Sequence, residues 1–250
     1  MNFLHSLQNP QVKAWKKLLT KKGRDQANLF IVEGFHLVEE AFKSGAVKEI
    51  MIREGIEIPH WMDDESITVT GLTDEISKAI AETEHTQGVF AVCSQESREL
   101  TDFNAERILL IDAVQDPGNI GTMIRTADAA GIDLVVLGKG SADPYNAKVL
   151  RSAQGSHFHL SIVKEDLNHS IPALKEKGIP VYGTALQNAS PYQKVNSGGP
   201  FALIMGNEGA GVNGELLQLA DENLYVPIYG KSESLNVAVA AGILLFHLKG

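Results

Sequence analysis

"ILLID", "LVVLG", "PVYGT", "FALIMG" and "LYVPI" are short apolar runs separated by segments with helical spacing, all beyond residue 107. Strands buried on both faces read as near-continuous Val, Ile and Leu, and strands alternating with helices call for parallel pairing with helices on each side. Residues 107–250 are therefore read as an open parallel α/β sheet. In this reading "NIGTMIRTADAAG" is a helix closed by Gly131, with Asn119 as its N-cap after the "DPG" turn. "NAKVLRSAQG" and "LNHSIPALKEKG" are helices, and "HFHLSIV" is a strand with His157 and His159 on one face. "SLNVAVAAGILLFHL" is the last helix, capped by Ser234, with Asn236 in its first turn.

The first 93 residues alternate helical and strand patterns of their own. Val12, Trp15, Leu18 and Leu19 follow helical spacing, and "LFIV", "VKEIMI", "ITVT" and "GVFAVC" read as strands around the helix "GFHLVEEAFKSG". The stretch that follows is polar and lacks apolar periodicity. The chain thus divides into residues 1–93, a linker over 94–106, and residues 107–250.

A composition of 44% hydrophobic and 21% charged residues suits a chain with a proper core. Cys93 is the single cysteine, which excludes an internal disulfide framework and fits a reducing, cytoplasmic setting. It ends an apolar run and reads as a buried small hydrophobe. The opening "MNFLHSLQNPQVKAW" is broken by polar residues and does not read as a secretory signal. "VAVAAGILLF" is too short to span a bilayer, so no membrane partner is expected.

The net charge of −9 argues against a general nucleic-acid binder, but the charge is uneven. Lys13, Lys16, Lys17, Lys21, Lys22 and Arg24 crowd residues 11–24 without an acid, and setting these six aside leaves the rest of the chain at about −15. That segment reads as a surface that tracks nucleic-acid phosphates, or as a solvated face. Lys148 and Arg151 share a helix face by i, i+3 spacing and add a second candidate phosphate contact. The histidines have no acidic or cysteine partner at ligand spacing, so no metal is expected.

"MGNEGAGVNG" spells G-x-G-x-x-G at Gly209, Gly211 and Gly214, the pattern that cradles a dinucleotide. It sits near the end of its region, whereas that fingerprint opens its domain. A P-loop is excluded because no Lys-Ser or Lys-Thr follows the glycines. Glu208 at the loop mouth is also an odd neighbour for a pyrophosphate.

Three segments, taken together, carry a resemblance that implies a different ligand. "PGNIGTMIRTADAAG", "IMGNEGAGV" and "VPIYGKSESLNVAVAAGILLF" resemble, in order and spacing, the three motifs of the SpoU (TrmH-like) branch of the SPOUT RNA methyltransferases. "FIVEGFHLVEEA" and "HTQGVFAV" resemble that family's small ribosomal-protein-like α/β substrate-binding domain.

The resemblance implies an α/β sheet tied in a deep trefoil knot, a homodimer, and S-adenosylmethionine as cofactor, whose sulfonium cation tolerates a nearby carboxylate. It implies methyl transfer to a ribose 2′-hydroxyl of RNA, with ribosomal RNA as the expected substrate and transfer RNA as an alternative. Arg125 is expected to bind a substrate phosphate and ease formation of the alkoxide. Asn119 would orient Arg125 or the ribose, and Glu208 would pair with Arg125 or Asn119. Ser234 and Asn236 would touch the target nucleotide or brace the cofactor loop. Thr184, Gly206, Val226, Ile228 and Leu235 are the expected cofactor contacts. A non-catalytic RNA-binding or assembly protein and a nicotinamide-dependent enzyme are the competing readings.

Overall fold

The computed structural model describes residues 2–62, 67–95 and 97–250, so residue 96 of the expected linker lies outside the described residues. In chain order the elements are β1 (Asn2–Leu4), α1 (Pro10–Leu18), α2 (Lys21–Ala27), β2 (Leu29–Glu33), α3 (Phe35–Lys43), β3 (Val47–Arg53), β4 (Thr68–Leu72), α4 (Asp74–Ile80) and β5 (Val89–Ser94). They continue with β6 (Arg107–Ile111), α5 (Pro117–Ala129), β7 (Leu134–Leu137), α6 (Ala147–Ala153), β8 (Ser161–Lys164), α7 (Leu167–Glu176), β9 (Val181–Thr184) and β10 (Ser190–Pro191). The last are β11 (Phe201–Met205), α8 (Gly214–Leu219), β12 (Glu222–Tyr225) and α9 (Val237–Lys249).

The chain forms two compact units, Met1–Gln95 with Tyr145–Phe158, and Glu96–Pro144 with His159–Gly250. The second unit is therefore not one continuous stretch. Tyr145 and Leu150 are buried in the same core cluster as Phe30 and Val32, with the rings of Phe30 and Tyr145 4.5 Å apart. This aromatic contact draws α6, and with it Lys148 and Arg151, into the first unit.

In the first unit five strands run in the order β1-β4-β3-β5-β2, with β5 antiparallel to both neighbours. Asn9 caps α1 and Pro10 opens it, so Val12, Trp15 and Leu18 face inward while Lys13, Lys16 and Lys17 stay exposed. Two elements lie outside the sequence reading, the three-residue β1 and α4. A third difference corrects a candidate site residue. The helix stops at Leu18, and α2 restarts behind Thr20, whose side chain accepts from Gly23 N. Arg24 then turns back and donates from Nη1 to the carbonyls of Leu18 (2.9 Å) and Leu19 (3.1 Å). It is 4% exposed and satisfies the open carbonyl end of α1, so it drops out of the basic surface. Lys21 and Lys22 remain exposed, Lys21 in an ion pair with Asp25.

In the second unit seven strands run β10-β12-β9-β11-β6-β7-β8, with every neighbouring pair parallel. β7 and β11 are buried throughout and β6 from Ile108 onward, as their unbroken apolar runs require. One face of the sheet packs Ile108, Leu110, Val136 and Ile204 against Leu167, Ile171 and Leu174 of α7 and Leu216 of α8. On the opposite side α9 packs on α5 and β11. "HFHLSIV" is a strand only from Ser161; His157 lies in a 3-10 turn over Ser156–Phe158, and His159 pairs through Nδ1 with Asp128 at 2.8 Å. The two histidines do not share a strand face. β12 starts two residues earlier than "LYVPI" and stops at Tyr225, which leaves Val226–Ile228 outside the sheet.

Candidate functional site

β6 and β11 are neighbours, with Ile111 paired to Met205, and the chain leaves β6 toward β7 on the far side. Open parallel sheets bind ligands beyond the carboxyl ends of strands at such a divergence. Two loops meet there. Asp112 N donates to Met205 O (2.8 Å), Asn213 N to Asp112 Oδ2 (2.7 Å), and Asn207 Nδ2 to Ala113 O (2.9 Å). Asn207 Oδ1 also accepts from Gly209 N and Ala210 N, which folds the glycine loop on itself. Ala113 holds φ at 52°, a left-handed conformation seldom taken by a residue with a side chain. Asp112 and Asn207 were not singled out from sequence; an Asn or Asp entering a glycine-rich turn was the available signal.

Glycine is required at Gly206. A Cβ there would lie 2.1 Å from Val212 N and 2.3 Å from the Gly211 carbonyl carbon, both backbone atoms. The loop closes against its own strand end only because that position has no side chain.

Glu208 reaches from this loop to the start of α5. Its carboxylate accepts from Gln115 N (3.2 Å), Asp116 N (3.0 Å) and Asn119 Nδ2 (3.0 Å). Burial raises its pKa, but the bonds from Asn119, Asp116, its own N–H and Gln115 together hold it below the ordinary 4.5. The positive end of α5 is thus occupied by a carboxylate of the chain itself, with Asp116 as N-cap beside it. A pyrophosphate would have to displace Glu208, which argues against a dinucleotide at this loop.

Asn119 is not the N-cap; Asp116 is, because Pro117 opens the helix and places Asn119 in the first turn. There Asn119 Oδ1 accepts from Asn236 Nδ2 at 2.9 Å. Asn236, rather than Ser234, caps α9, its Oδ1 accepting from Ala238 N and Val239 N. The result is a continuous chain, Glu208–Asn119–Asn236, across all three motif segments. It fixes both amide orientations, since each must donate one way and accept the other.

Arg125 and Ser234 are not drawn into this chain. Both are exposed, and Arg125 has no ion pair or side-chain hydrogen bond among the described residues. Six positions along α5 turn Arg125 about 120° from Asn119.

Of the expected cofactor contacts, Val226, Ile228 and Leu235 line one open cleft of about 500 Å³ with Tyr192, Tyr229 and Lys231. Its size and largely apolar wall suit an adenine nucleoside. Thr184 and Gly206 do not line that cleft; Thr184 Oγ1 donates to Ile204 O at 2.9 Å, tying β9 to β11.

Comparison with known proteins agrees with this geometry. Residues 106–246 match the SpoU rRNA Methylase family, and residues 9–91 match the MRM3-like substrate binding domain. The chain is 55% identical over its full length, and the full length of the relative, to 23S rRNA (guanosine(2553)-2'-O)-methyltransferase RlmP of Bacillus subtilis. It is 30% identical to an uncharacterized tRNA/rRNA methyltransferase of Synechocystis, over 98% of this chain and 92% of that one. The crystal structure of an AdoMet-bound rRNA methyltransferase from Sinorhizobium meliloti superposes with a TM-score of 0.89 at 31% identity, over 99% of this chain and 97% of the other. The SpoU methyltransferase AviRb of Streptomyces viridochromogenes, in complex with AdoMet, superposes with a TM-score of 0.86 at 26% identity, over 96% and 97%. The chain belongs to the SpoU family of S-adenosylmethionine-dependent RNA 2′-O-ribose methyltransferases.

Proposed function

We propose that this protein methylates the ribose 2′-hydroxyl of one guanosine in 23S ribosomal RNA, the position equivalent to that named for its Bacillus subtilis relative. The observation that carries the reading is the Glu208–Asn119–Asn236 chain, which joins three motif segments in a protein collinear with that relative. S-adenosylmethionine supplies the methyl group as an electrophile on sulfur. Val226, Ile228 and Leu235 would hold its adenine in the cleft, while Gly206, outside that cleft, lets the glycine loop close against its own strand end.

The chain's own residues must place the hydroxyl and lower the cost of its charge. A ribose hydroxyl is a very weak acid, so attack needs proton removal or a cation near the forming alkoxide. Arg125 serves as that cation by binding an adjoining phosphate, which its planar guanidinium fork matches. Asn119 and Asn236, each locked by its neighbours, present the ribose, and Ser234 contacts the same nucleotide.

The same reading includes a homodimer and a knot. Arg125 points away from its own chain's network, and Val239 (53%) and Phe246 (55%) leave apolar surface open on α9. A two-fold contact through α5 and α9 covers that surface and brings Arg125 to the partner's site. The last helix returns to the segment before β11, with Gly198 N donating to Leu248 O (2.9 Å) and His247 Nε2 bonded to Val195 O (3.0 Å). These ties favour a C-terminus threaded through the loop that precedes β11, the deep trefoil knot of the family. Residues 1–93 are the RNA substrate-binding domain, joined through the linker at 94–106 to the methyltransferase domain, and the enzyme works in the cytoplasm.

The test is transfer of labelled methyl from S-adenosylmethionine to unmodified transcripts. Label in 23S RNA, on a guanosine ribose, is the expected result. Label in transfer RNA, or in no RNA, removes this assignment.

A further inference from the structure

Tyr229 is 91% exposed, the most exposed large apolar side chain among the described residues. It makes no ring contact, ion pair or side-chain hydrogen bond among the described residues. An isolated exposed aromatic is ordinary. This one, however, stands on the wall of the cleft formed by Val226, Ile228 and Leu235, beside Gly230 and the exposed Lys231. Glu233 is the acid of the same loop and is also exposed.

A flat ring next to an ammonium group matches a nucleotide, with a base to stack and a phosphate to neutralise. A donor held inside a protein cleft is reached most directly by a nucleotide splayed out of the RNA stack, and proteins receive splayed bases on aromatic faces. We propose that Tyr229 is the platform on which the base of the target nucleotide stacks, with Lys231 holding the adjoining phosphate. The proposal rests on the reading of this protein as an RNA 2′-O-methyltransferase and adds a positioning residue to it. Every base has a π face, so Tyr229 governs whether the nucleotide is held out, not which base is read.

A binding cycle tests this. The ligands are the 23S RNA segment around the target guanosine position, intact or with that guanine removed to leave an abasic ribose. The proteins are wild type, Tyr229→Phe and Tyr229→Leu, each also measured for S-adenosylmethionine affinity and for mass by light scattering. Removing the base should weaken wild-type binding by roughly 5- to 150-fold, the range of base–aromatic stacking. Tyr229→Leu should bind the intact segment weaker by a similar factor and lose nothing more on the abasic one. Tyr229→Phe should behave as wild type, and because the Tyr229 ring is 91% exposed at the rim of the cleft rather than packed in it, cofactor affinity and mass should not move.

Three results overturn the proposal. A leucine variant that still distinguishes intact from abasic RNA removes Tyr229 as the platform. A fall in cofactor affinity makes the ring a cover for adenine, and a change in mass makes it a contact between two copies. Methyl transfer is scored separately, so a wild-type protein that shows the stacking cycle but transfers no methyl group refutes the activity without touching the stacking result.

Discussion

Asn119→Asp is the sharpest probe of the network at the site. The substitution keeps an oxygen to accept from Asn236 Nδ2, but puts a second oxygen where Nδ2 now donates to Glu208 Oε1 at 3.0 Å. Two like charges at that separation repel by about 1.4 kcal/mol in a water-like medium and about 5.5 kcal/mol at an effective dielectric of 20. Asn119 is half-buried and Glu208 exposed, which places the cost in the lower half, roughly 1.5–3 kcal/mol. The positive end of α5 returns at most about 1 kcal/mol to the new charge. Asn119→Ala is the reference. It loses two hydrogen bonds of about 1 kcal/mol each and regains about half of one through helix propensity. The Asp variant also loses the bond to Glu208, about 1 kcal/mol, so its net cost of roughly 1.5–3 kcal/mol exceeds the roughly 1.5 kcal/mol of the Ala variant, and it should be the less stable of the two at pH 7. Acid reduces the difference. Glu208 in the wild type is held below 4.5, so the stability it contributes is present above that value and fades as the pH falls through the lower folded one. In the Asp variant one carboxyl of the pair is pushed up, and protonating it relieves the repulsion. Urea unfolding of both variants at pH 7 and near pH 4.5 should show the gap narrow in acid. Equal stabilities at pH 7, or a gap that does not change with pH, would refute the claim that Asn119 and Glu208 are in direct contact.

Four further outcomes are expected. Arg125→Ala should abolish methyl transfer while S-adenosylmethionine binds nearly as before, read by single-turnover transfer and by calorimetry. Gly206→Ala forces a methyl group into backbone at 2.1 Å and should cost at least the 1–3 kcal/mol typical of overpacking, measured by thermal unfolding. Replacing Lys16, Lys17, Lys21 and Lys22 by glutamine should weaken RNA binding and lower the log–log salt slope by roughly 0.7 to 0.9 per lost phosphate contact, with cofactor affinity unchanged. Light scattering at micromolar concentration should give twice the chain mass of 27.1 kDa, and Phe246→Glu should shift it toward one.

The parallel sheet was legible because β6, β7 and β11 are buried on both faces and read as unbroken apolar runs. β1 was not, since three residues carry no period. It is defined only by pairing with Thr70–Leu72, where Phe3 lies over Gly71. Both helix starts at the site were misread by a few residues for one reason: several cap-competent residues stand in a row, and tertiary bonds choose among them. Asn119 and Asn236 are held by each other, which freed Asp116 to cap α5 and left Ser234 exposed. Arg24 shows the limit of reading charge from composition. The turn between α1 and α2 folds it under two carbonyls, and nothing in a run of cations marks which one is buried. The placement of α6 in the first unit was equally hidden, because Tyr145 and Leu150 have the same apolar character whichever core receives them.

The central claim is that this protein sets one ribose methylation on 23S ribosomal RNA. The measurement that tests it most directly is a map of 2′-O-methyl groups in total RNA from cells with the protein, without it, and complemented with either wild type or Arg125→Ala. The account predicts that one 2′-O-methylguanosine of 23S RNA disappears without the protein, returns with the wild type, and stays absent with Arg125→Ala. A map identical in all four strains, or a lost methyl group in another RNA, would contradict it.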